Sequence, residues 1–278
     1  MCRPSRSLSS GLKSLSNSAL QYLIADLHLD GKRPETTRLF LDFIDGPARE
    51  AARLYILGDL FEAWIGDDAA GRLGRQVANR LASLSRAGTR IYFLCGNRDF
   101  LVGPDYCRRA GMSRLDEPVS LIEHRGETIA LLHGDTLCTD DVSYQNFRRK
   151  ARSPQWQKKM LAKPVWMRKL MAGAARLMSR RHTGSTAETI MDVNPGAVEE
   201  AFVHHRVRRM IHGHTHRRAI HDLQVDGRHC QRIVLGDWGE TGSVVRLDNN
   251  PPAMLKIARN SDNEVTLLLQ ETAAPLAD

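Results

Sequence analysis

The chain has 278 residues, 42% of them hydrophobic, and its 40 Lys or Arg against 32 Asp or Glu give a formal net charge of +8. This length suits one large domain with a sizeable insertion. No apolar run approaches the roughly eighteen residues that a membrane-spanning helix needs, so the composition excludes a protein built from such helices.

The excess positive charge belongs to one segment of the chain. Residues 142–187 contain twelve Lys or Arg and no acid, so the remainder is net acidic. Basicity confined to one segment argues against a general nucleic-acid-binding surface. The cysteines are odd in number and scattered without a C-x-x-C pair, which indicates a reducing, cytosolic compartment. They are Cys2, Cys95, Cys107, Cys138 and Cys230.

Residues 1–20 combine basic residues and many serines with no acid, and they lack the apolar centre of a secretory signal. We expect a disordered extension or an upstream start here. A transit peptide has a similar composition and stays as the alternative.

Short apolar runs then alternate with helix-length patterns. "QYLI", "RLYIL" and "RIYFL" predict strands, and residues 34–52 and 70–87 predict helices between them. "TIALL" and "RRMI" predict two later strands. This alternation is typical of an α/β protein with a buried, largely parallel sheet.

Each of these five predicted strands is closely followed by side chains of types that bind metal ions. They are Asp26 with His28, Asp59, Asn97, His133, and His214 with His216. Each motif alone has an ordinary explanation, because Gly-Asp is a common turn and Asp or Asn often caps a helix. All five together, at strand ends where ligands gather in α/β sheets, favour a metal site.

The residue types suit two divalent cations. Asp59 has the charge and lone pairs to bridge both, while Asp26 with His28 can hold one ion and Asn97 with His133 the other. His214 and His216 would close the site, one on each ion. A set of carboxylate, amide and imidazole groups without thiolate favours Mn²⁺ or another octahedral ion over structural zinc.

The ordered blocks D-x-H, G-D, G-N, an isolated His and G-H-x-H resemble the calcineurin-like metallophosphoesterases. The resemblance implies an α/β sandwich of two sheets flanked by helices over residues 21–248. It also implies a helical lipid-binding cap inserted at about residues 142–188, and a C-terminal strand and tail over residues 249–278.

The same resemblance divides the ligands between the two ions. One ion would be held by Asp26, His28, Asp59 and His216, and the other by Asp59, Asn97, His133 and His214. His212, the first histidine of the "HGHTH" cluster, is not a ligand in the family pattern, and we expect it to have a structural role.

The connecting sequence resembles one branch of this family more closely. "LGDLFEAWIGDD", "GNRDFLVG", "LLHGDTLCTDD" and "IHGHTHRRAIHDL" are similar to the enzymes that hydrolyse UDP-2,3-diacylglucosamine in the lipid A pathway of Gram-negative bacteria. This implies a pyrophosphohydrolase in which two metals activate water, releasing UMP and 2,3-diacylglucosamine 1-phosphate.

The resemblance also assigns residue roles. The catalytic residues would be Asp59, Asn97, Arg98 and His133. The substrate contacts would be Asn97, Arg98, Asp141, Ser179, Thr183, Thr186 and His214. Relatives often carry Asn and Lys where this chain has Thr183 and Thr186, which weakens those two assignments; Arg180 or Arg181 could supply the missing charge.

Arg98 stands where many members of the wider family place a histidine. A guanidinium stays protonated and is a poor proton donor, so it suits a leaving group that needs no protonation. A phosphate monoester is such a leaving group, and Arg98 can stabilise its developing charge. Arg98 therefore favours pyrophosphate cleavage over ordinary ester hydrolysis.

The acid-free segment interleaves Trp, Met and Leu with its cations at helical spacing, broken at Pro154 and Pro164. One interpretation is a solvated helical pair packed on the core. The other is a lipid-facing surface whose cations attract anionic headgroups and nucleotide phosphates. The resemblance supports the cap and implies peripheral attachment of a monomer to the cytoplasmic face of the inner membrane.

Two other functions are compatible with parts of the sequence. The same scaffold could hydrolyse another nucleoside-diphosphate-lipid or a dinucleotide. A non-catalytic module could instead use the basic segment to bind membrane or nucleic acid, although seven intact ligand positions argue against it.

Overall fold

A computed structural model describes residues 19–185 and 192–276, and over residues 178–185 it describes the backbone alone. The first eighteen residues of the expected N-terminal extension therefore lie outside the described part of the chain.

The described residues form twelve strands in two sheets. The strands are β1 (Gln21–Ile24), β2 (Arg53–Leu57), β3 (Arg90–Leu94), β4 (Met112–Arg114), β5 (Val119–His124), β6 (Glu127–Leu132), β7 (Arg209–His212), β8 (Ala219–Val225), β9 (Arg228–Val234), β10 (Gly242–Leu247), β11 (Ala253–Arg259) and β12 (Val265–Thr272). One sheet has the order β12-β11-β10-β1-β2-β3-β4 and the other β5-β6-β7-β9-β8.

In the part of the chain that the structure describes, seven α-helices flank the sheets. They are α1 (Pro34–Asp45), α2 (Gly71–Arg86), α3 (Pro104–Ala110), α4 (Val142–Ala151), α5 (Pro154–Leu161), α6 (Val165–Ser185) and α7 (Pro195–His205). Proline occupies the start of α1, α3, α5 and α7, where its missing N–H costs nothing. The helix predicted over residues 34–52 ends at Asp45, because Pro47 disfavours helical backbone at Gly46, the residue before it, and a 3-10 helix, Pro47–Glu50, follows.

The α/β class with two sheets is confirmed, but the expectation of one largely parallel sheet was wrong. Strands β1 to β4 run parallel to one another, whereas β10, β11 and β12 add antiparallel strands at the β1 edge. The short connections between these last strands allow only antiparallel pairing. Where one C-terminal strand and a tail were expected, β11 and β12 extend the sheet.

The side chains of alternate residues in the central strands pack in different parts of the hydrophobic core. Leu23 of β1 packs between the sheets with Leu131 of β6, whereas Ile24 of β1 packs against helices α1 to α3. On the far side, Phe202 of α7 covers the second sheet. Both faces of these strands are therefore buried away from water, which explains their continuous apolar sequences. Each fully buried large aliphatic or aromatic side chain contributes about 1.5–3 kcal/mol.

Strand register brings the ligand-bearing strand ends to one level. Leu57 pairs with Leu94 across β2 and β3, and Ile24 pairs with Ile56 across β1 and β2. In the second sheet Leu131 pairs with Ile211. The loops that follow these strands therefore meet at one end of the sandwich.

Helices α4 to α6, here called the helical insertion, lie in the chain between β6 and β7. Trp156 packs near Phe100 with ring centroids 6.0 Å apart, and Met160 joins the main core. The Arg168 side chain is only 2% exposed and pairs with Asp68. The insertion thus packs on the body, as the first interpretation of the segment expects, and it also presents an outer face. None of the helices in the described part of the chain is long and apolar enough to cross a membrane.

Candidate metal centre

The seven predicted ligands come together at the shared end of the sheets. Ligand atoms of Asp26, His28 and His216 lie within 4.8 Å of one another, and so do those of Asp26, Asp59 and His133. Residues from both sheets are therefore needed to complete the cluster.

The loops that carry the ligands adopt an unusual backbone. Five of the seven predicted ligands have positive φ, between 48° and 72°: Asp26, His28, Asp59, His214 and His216. Non-glycine residues rarely occupy this region, and holding one there costs about 1–3 kcal/mol. The rest of the structure imposes these conformations, as is typical of functional sites.

Close approach of the loops requires glycine at two positions. A Cβ on Gly96 would lie 2.0 Å from Oδ1 of Asp59, and one on Gly213 would lie 2.2 Å from Oδ2 of Asp26. Both glycines precede a predicted ligand in the chain. Any side chain there would displace a carboxylate from the cluster.

One half of the cluster contains Asp26, His28, Asp59 and His216. Nε2 of His28 lies 3.2 Å from Nε2 of His216 and 3.8 Å from Oδ2 of Asp59. Nε2 of His216 lies 3.7 Å from Oδ1 of Asp26. These inward-facing atoms surround a space between two imidazoles and two carboxylates.

The other half contains Asn97, His133 and His214, with Asp59 shared between the halves. Oδ1 of Asn97 lies 2.9 Å from Nε2 of His133 and 3.1 Å from Nδ1 of His214. Nε2 of His133 is also 3.7 Å from Oδ1 of Asp59. Asp59 therefore directs one oxygen to each half, as expected of a bridging carboxylate.

The hydrogen-bonding pattern fits a bound cation. Nδ1 of His133 lies 2.9 Å from the carbonyl oxygen of Leu57, which can only accept, so this nitrogen carries the proton. In the neutral ring, the lone pair of Nε2 then faces the Asn97 oxygen, another acceptor. Oδ1 of Asp26 is buried without a hydrogen-bond partner in the described structure. A divalent cation would satisfy these converging acceptors.

Burial shifts the pKa values within the cluster. Burial, reinforced by the charge of Asp59, raises the pKa of Asp26 to about 7. Burial lowers the pKa of His214 to about 4 and also lowers that of His216. Both histidines are therefore neutral near pH 7, the form in which an imidazole binds metal.

His212 stands apart from the cluster. It is fully buried, its Nδ1 lies 2.8 Å from the carbonyl oxygen of Gly213, and its Nε2 lies 3.2 Å from Nη1 of Arg232. Burial lowers the pKa of His212 to about 3. These contacts fit the structural role expected for it.

The structure describes only some of the predicted substrate-contacting residues that are not also predicted metal ligands. The backbone N–H of Arg98 donates to Oδ1 of Asp59 at 2.8 Å, so Arg98 borders the cluster. Asp141 caps helix α4 by accepting from the N–H of Tyr144 at 2.9 Å. Ser179 and Thr183 lie on α6 in the stretch whose side chains are not described, and Thr186 lies outside the described residues.

Two buried carboxylates that the sequence analysis did not single out support the ligand loops. Asp99 accepts from the N–H groups of Gly96 and Leu60 at 2.8 Å each, joining the loops after β2 and β3. Asp135 accepts from the Tyr144 hydroxyl and from Nε of Arg148 at 2.7 Å each, joining the loop after β6 to α4. Each acid follows a predicted ligand by two residues, which is the sequence signal that could have found them.

Glu62 is a third supporting carboxylate. Its Oε2 lies 3.3 Å from Nδ1 of His28, on the side of that ring away from the cluster. Although burial opposes ionisation, the contact with His28 and the charge of Arg98 lower the pKa of Glu62 to about 2. A charged acid therefore lies beside a predicted metal ligand.

The fold and this centre define a metallophosphoesterase, and the family comparison agrees. The calcineurin-like phosphoesterase family matches residues 22–218, and the chain belongs to that family. The family implies divalent metal ions, and the acid and imidazole clusters described above are the groups available to hold them.

Individual relatives are about half identical to this chain. The chain is 48% identical to the "UDP-2,3-diacylglucosamine hydrolase" of Chromohalobacter salexigens, over 84% of this chain and 95% of that protein. It is 51% identical to the protein of the same name in Stenotrophomonas maltophilia, over 82% of this chain and 94% of that one. A solved structure, Vacuolar Protein Sorting 29 from Cryptosporidium parvum, aligns with a TM-score of 0.46 at 12% identity, covering 92% of this chain and 99% of that one.

Proposed function

We propose that this chain hydrolyses the pyrophosphate bond of UDP-2,3-diacylglucosamine, giving UMP and 2,3-diacylglucosamine 1-phosphate in lipid A biosynthesis. The observation that supports it most is the combination of a cluster of seven candidate metal ligands with relatives about half identical that are named UDP-2,3-diacylglucosamine hydrolase. One water adds across the bond, so each product takes one phosphate.

Two divalent cations, with Mn²⁺ favoured, would occupy the two halves of the cluster. Asp26, His28 and His216 would hold one, and Asn97, His133 and His214 the other, with Asp59 bridging them. Such a pair lowers the pKa of bound water and neutralises charge on phosphoryl oxygens. The absence of thiolate from the set favours Mn²⁺ over structural zinc.

The chain's own residues prepare this site before substrate arrives. The carbonyl of Leu57 fixes the tautomer of His133, and Asp59 is held by the N–H of Arg98. The Arg98 guanidinium would bind the leaving phosphate and stabilise its charge without giving up a proton. Asn97 and His214, which border the same space, would also contact the phosphate.

The remaining substrate contacts would come from the helical insertion. Asp141 begins α4, and Ser179, Thr183 and Thr186 lie at or beyond the far part of α6. We place the glucosamine and its acyl chains against this insertion.

The metal-dependent reaction gives a direct test. Purified protein is incubated with UDP-2,3-diacylglucosamine in detergent, with Mn²⁺ or with EDTA, and UMP and the lipid phosphate are measured. Both products should form only with Mn²⁺, and Asp59→Asn should abolish them while the exposed control Asp105→Asn does not. If a simple phosphodiester is cleaved but neither product forms, the metal centre is retained and the lipid substrate is refuted.

Peripheral attachment to an anionic membrane, on the cytoplasmic face of the inner membrane, belongs to the same proposal. The acid-free insertion carries an exposed apolar face in which Trp166, Leu170 and Leu177 are 61%, 67% and 55% exposed. Their spacing of four and seven residues puts them on one side of α6. Apolar side chains among cations are typical of interfacial helices.

Sedimentation with lipid vesicles tests this attachment. The protein should bind anionic vesicles more than zwitterionic ones, and Leu170→Ser should weaken binding. Leu268 on β12 is 49% exposed and lies far from the insertion in sequence, so Leu268→Ser is a matched control. Equal loss from both variants would refute a membrane-binding role for α6.

A further inference from the structure

The backbone holds Glu62 at a fixed position relative to His28. The loop after β2 runs beside the loop after β1, where Leu29 and Phe61 form an isolated parallel bridge. The N–H of Glu62 donates to the carbonyl of Leu29 at 3.2 Å. Glu62 is thus tied to the residue that directly follows His28.

The side chain of Glu62 approaches the outer nitrogen of His28. Oε2 is 3.3 Å from Nδ1, while Nε2 of the same ring faces His216 and Asp59 in the cluster. An acid at one ring nitrogen favours a proton there and leaves the lone pair of the other nitrogen free for a cation. Nδ1 of His28 has no hydrogen-bond partner in the described structure, so Glu62 acts on this ring through its charge and its closeness.

The other oxygen of Glu62 faces the helical insertion. Oε1 lies 3.8 Å from Nε of Arg176, a residue of α6. That nitrogen is buried and has no hydrogen-bond partner in the described structure. The two oxygens of one carboxylate therefore contact a predicted metal ligand and the helix that the proposed function assigns to substrate binding.

We propose that Glu62 is a positioning residue that holds His28 with Nε2 toward the metal centre and, through Arg176, holds α6 next to that centre. This inference rests on the proposed two-metal function. A partner carboxylate behind a metal-binding histidine typically changes metal affinity about 10- to 100-fold when it is removed. Glu62 carries this role because its Oε2 lies 3.3 Å from the outer nitrogen of His28.

Metal binding without substrate separates this inference from the choice of substrate. Metal-free protein is titrated with Mn²⁺, and free Mn²⁺ is followed by electron paramagnetic resonance. Glu62→Gln should weaken binding at one of the sites about 10- to 100-fold. Glu200→Gln, the same change on the exposed surface of α7, should leave the titration unchanged.

The second contact predicts a different defect. Arg176→Gln should leave the Mn²⁺ titration unchanged and raise KM for the lipid substrate, with kcat little altered. Thermal melting of each chelated variant shows whether it is folded, and Glu62→Ala provides a second variant at the same position. Wild-type Mn²⁺ affinity in folded Glu62→Gln and Glu62→Ala would overturn the role at His28, and an unchanged KM in Arg176→Gln would overturn the role at α6.

Discussion

Removing the Asp99 carboxylate should destabilise the protein far more than removing an exposed one. Asp99 is fully buried and accepts from Gly96 and Leu60 at 2.8 Å, with longer contacts to the N–H groups of Asp59 and Phe61 at 3.3 and 3.4 Å. Hydrogen bonds to a charged group are worth about 1.5–3 kcal/mol each, so the two short ones contribute about 3–6 kcal/mol, against a total of roughly 5–15 kcal/mol for a whole domain. The cost of burying the charge offsets part of this contribution, because burial raises the pKa of Asp99 to about 6.

Two substitutions at this position distinguish partial from complete loss of the hydrogen bonds that Asp99 accepts. Asp99→Asn keeps the volume and one acceptor oxygen, so we expect a loss of about 1.5–3 kcal/mol in the free energy of unfolding. Asp99→Ala leaves both N–H groups unpaired and should lose about twice as much. The control Asp105→Asn removes an exposed pair with Arg108, which is worth at most about 1 kcal/mol.

Urea unfolding followed by far-ultraviolet circular dichroism measures these losses. The assay should be run at pH 8, where the Asp99 carboxylate is ionised, because burial raises the pKa of Asp99 to about 6. Chelator should be present, so that changes in metal affinity do not alter the result. If Asp99→Asn loses no more stability than Asp105→Asn, the carboxylate does not hold the two loops together.

Two further predictions concern catalysis and pH. Arg98→His should slow cleavage of the lipid substrate, because it replaces a permanent charge at the leaving phosphate. An unchanged rate constant would refute the role of Arg98 in stabilising that phosphate. Burial lowers the pKa of His212 from 6.5 to about 3, so the unfolded chain binds a proton there that the folded chain does not. The stability due to this histidine is present above pH 6.5 and is lost as the pH falls toward 3, by about 1.4 kcal/mol at pH 5.5. His212→Gln should therefore lose less unfolding free energy than wild type between pH 7.5 and 5.5, and equal losses would contradict this.

The clustering of the candidate metal ligands was predictable because strand ends are visible in the sequence. Apolar runs such as "RLYIL" end just before a candidate ligand, here with only Gly58 between the run and Asp59, and parallel strands in register must bring such ends together. The sequence could not reveal which strands pair, so the antiparallel edge from β10 to β12 was missed. Pairing depends on contacts between distant residues, which local periodicity does not record.

The supporting acids were harder to predict for a different reason. Asp99 and Glu62 lie in loops, where acids are common and mostly exposed. Their role depends on where the backbone N–H groups of Leu60 and Gly96, and the ring of His28, lie in space. The helical spacing of the insertion was visible, but the inward direction of Trp156 and Met160 and the outward direction of Trp166 were not.

The metal centre joins parts of the chain that are far apart in sequence. The N–H of His214 donates to Asp26 across 188 residues, and the acid-free segment separates His133 from His214. A ribosome therefore releases five of the seven candidate ligands well before the last two. Metal loading of this centre would be a late event in biosynthesis, after β7 has joined the second sheet, and a bound ion would then close a long loop much as a disulfide does.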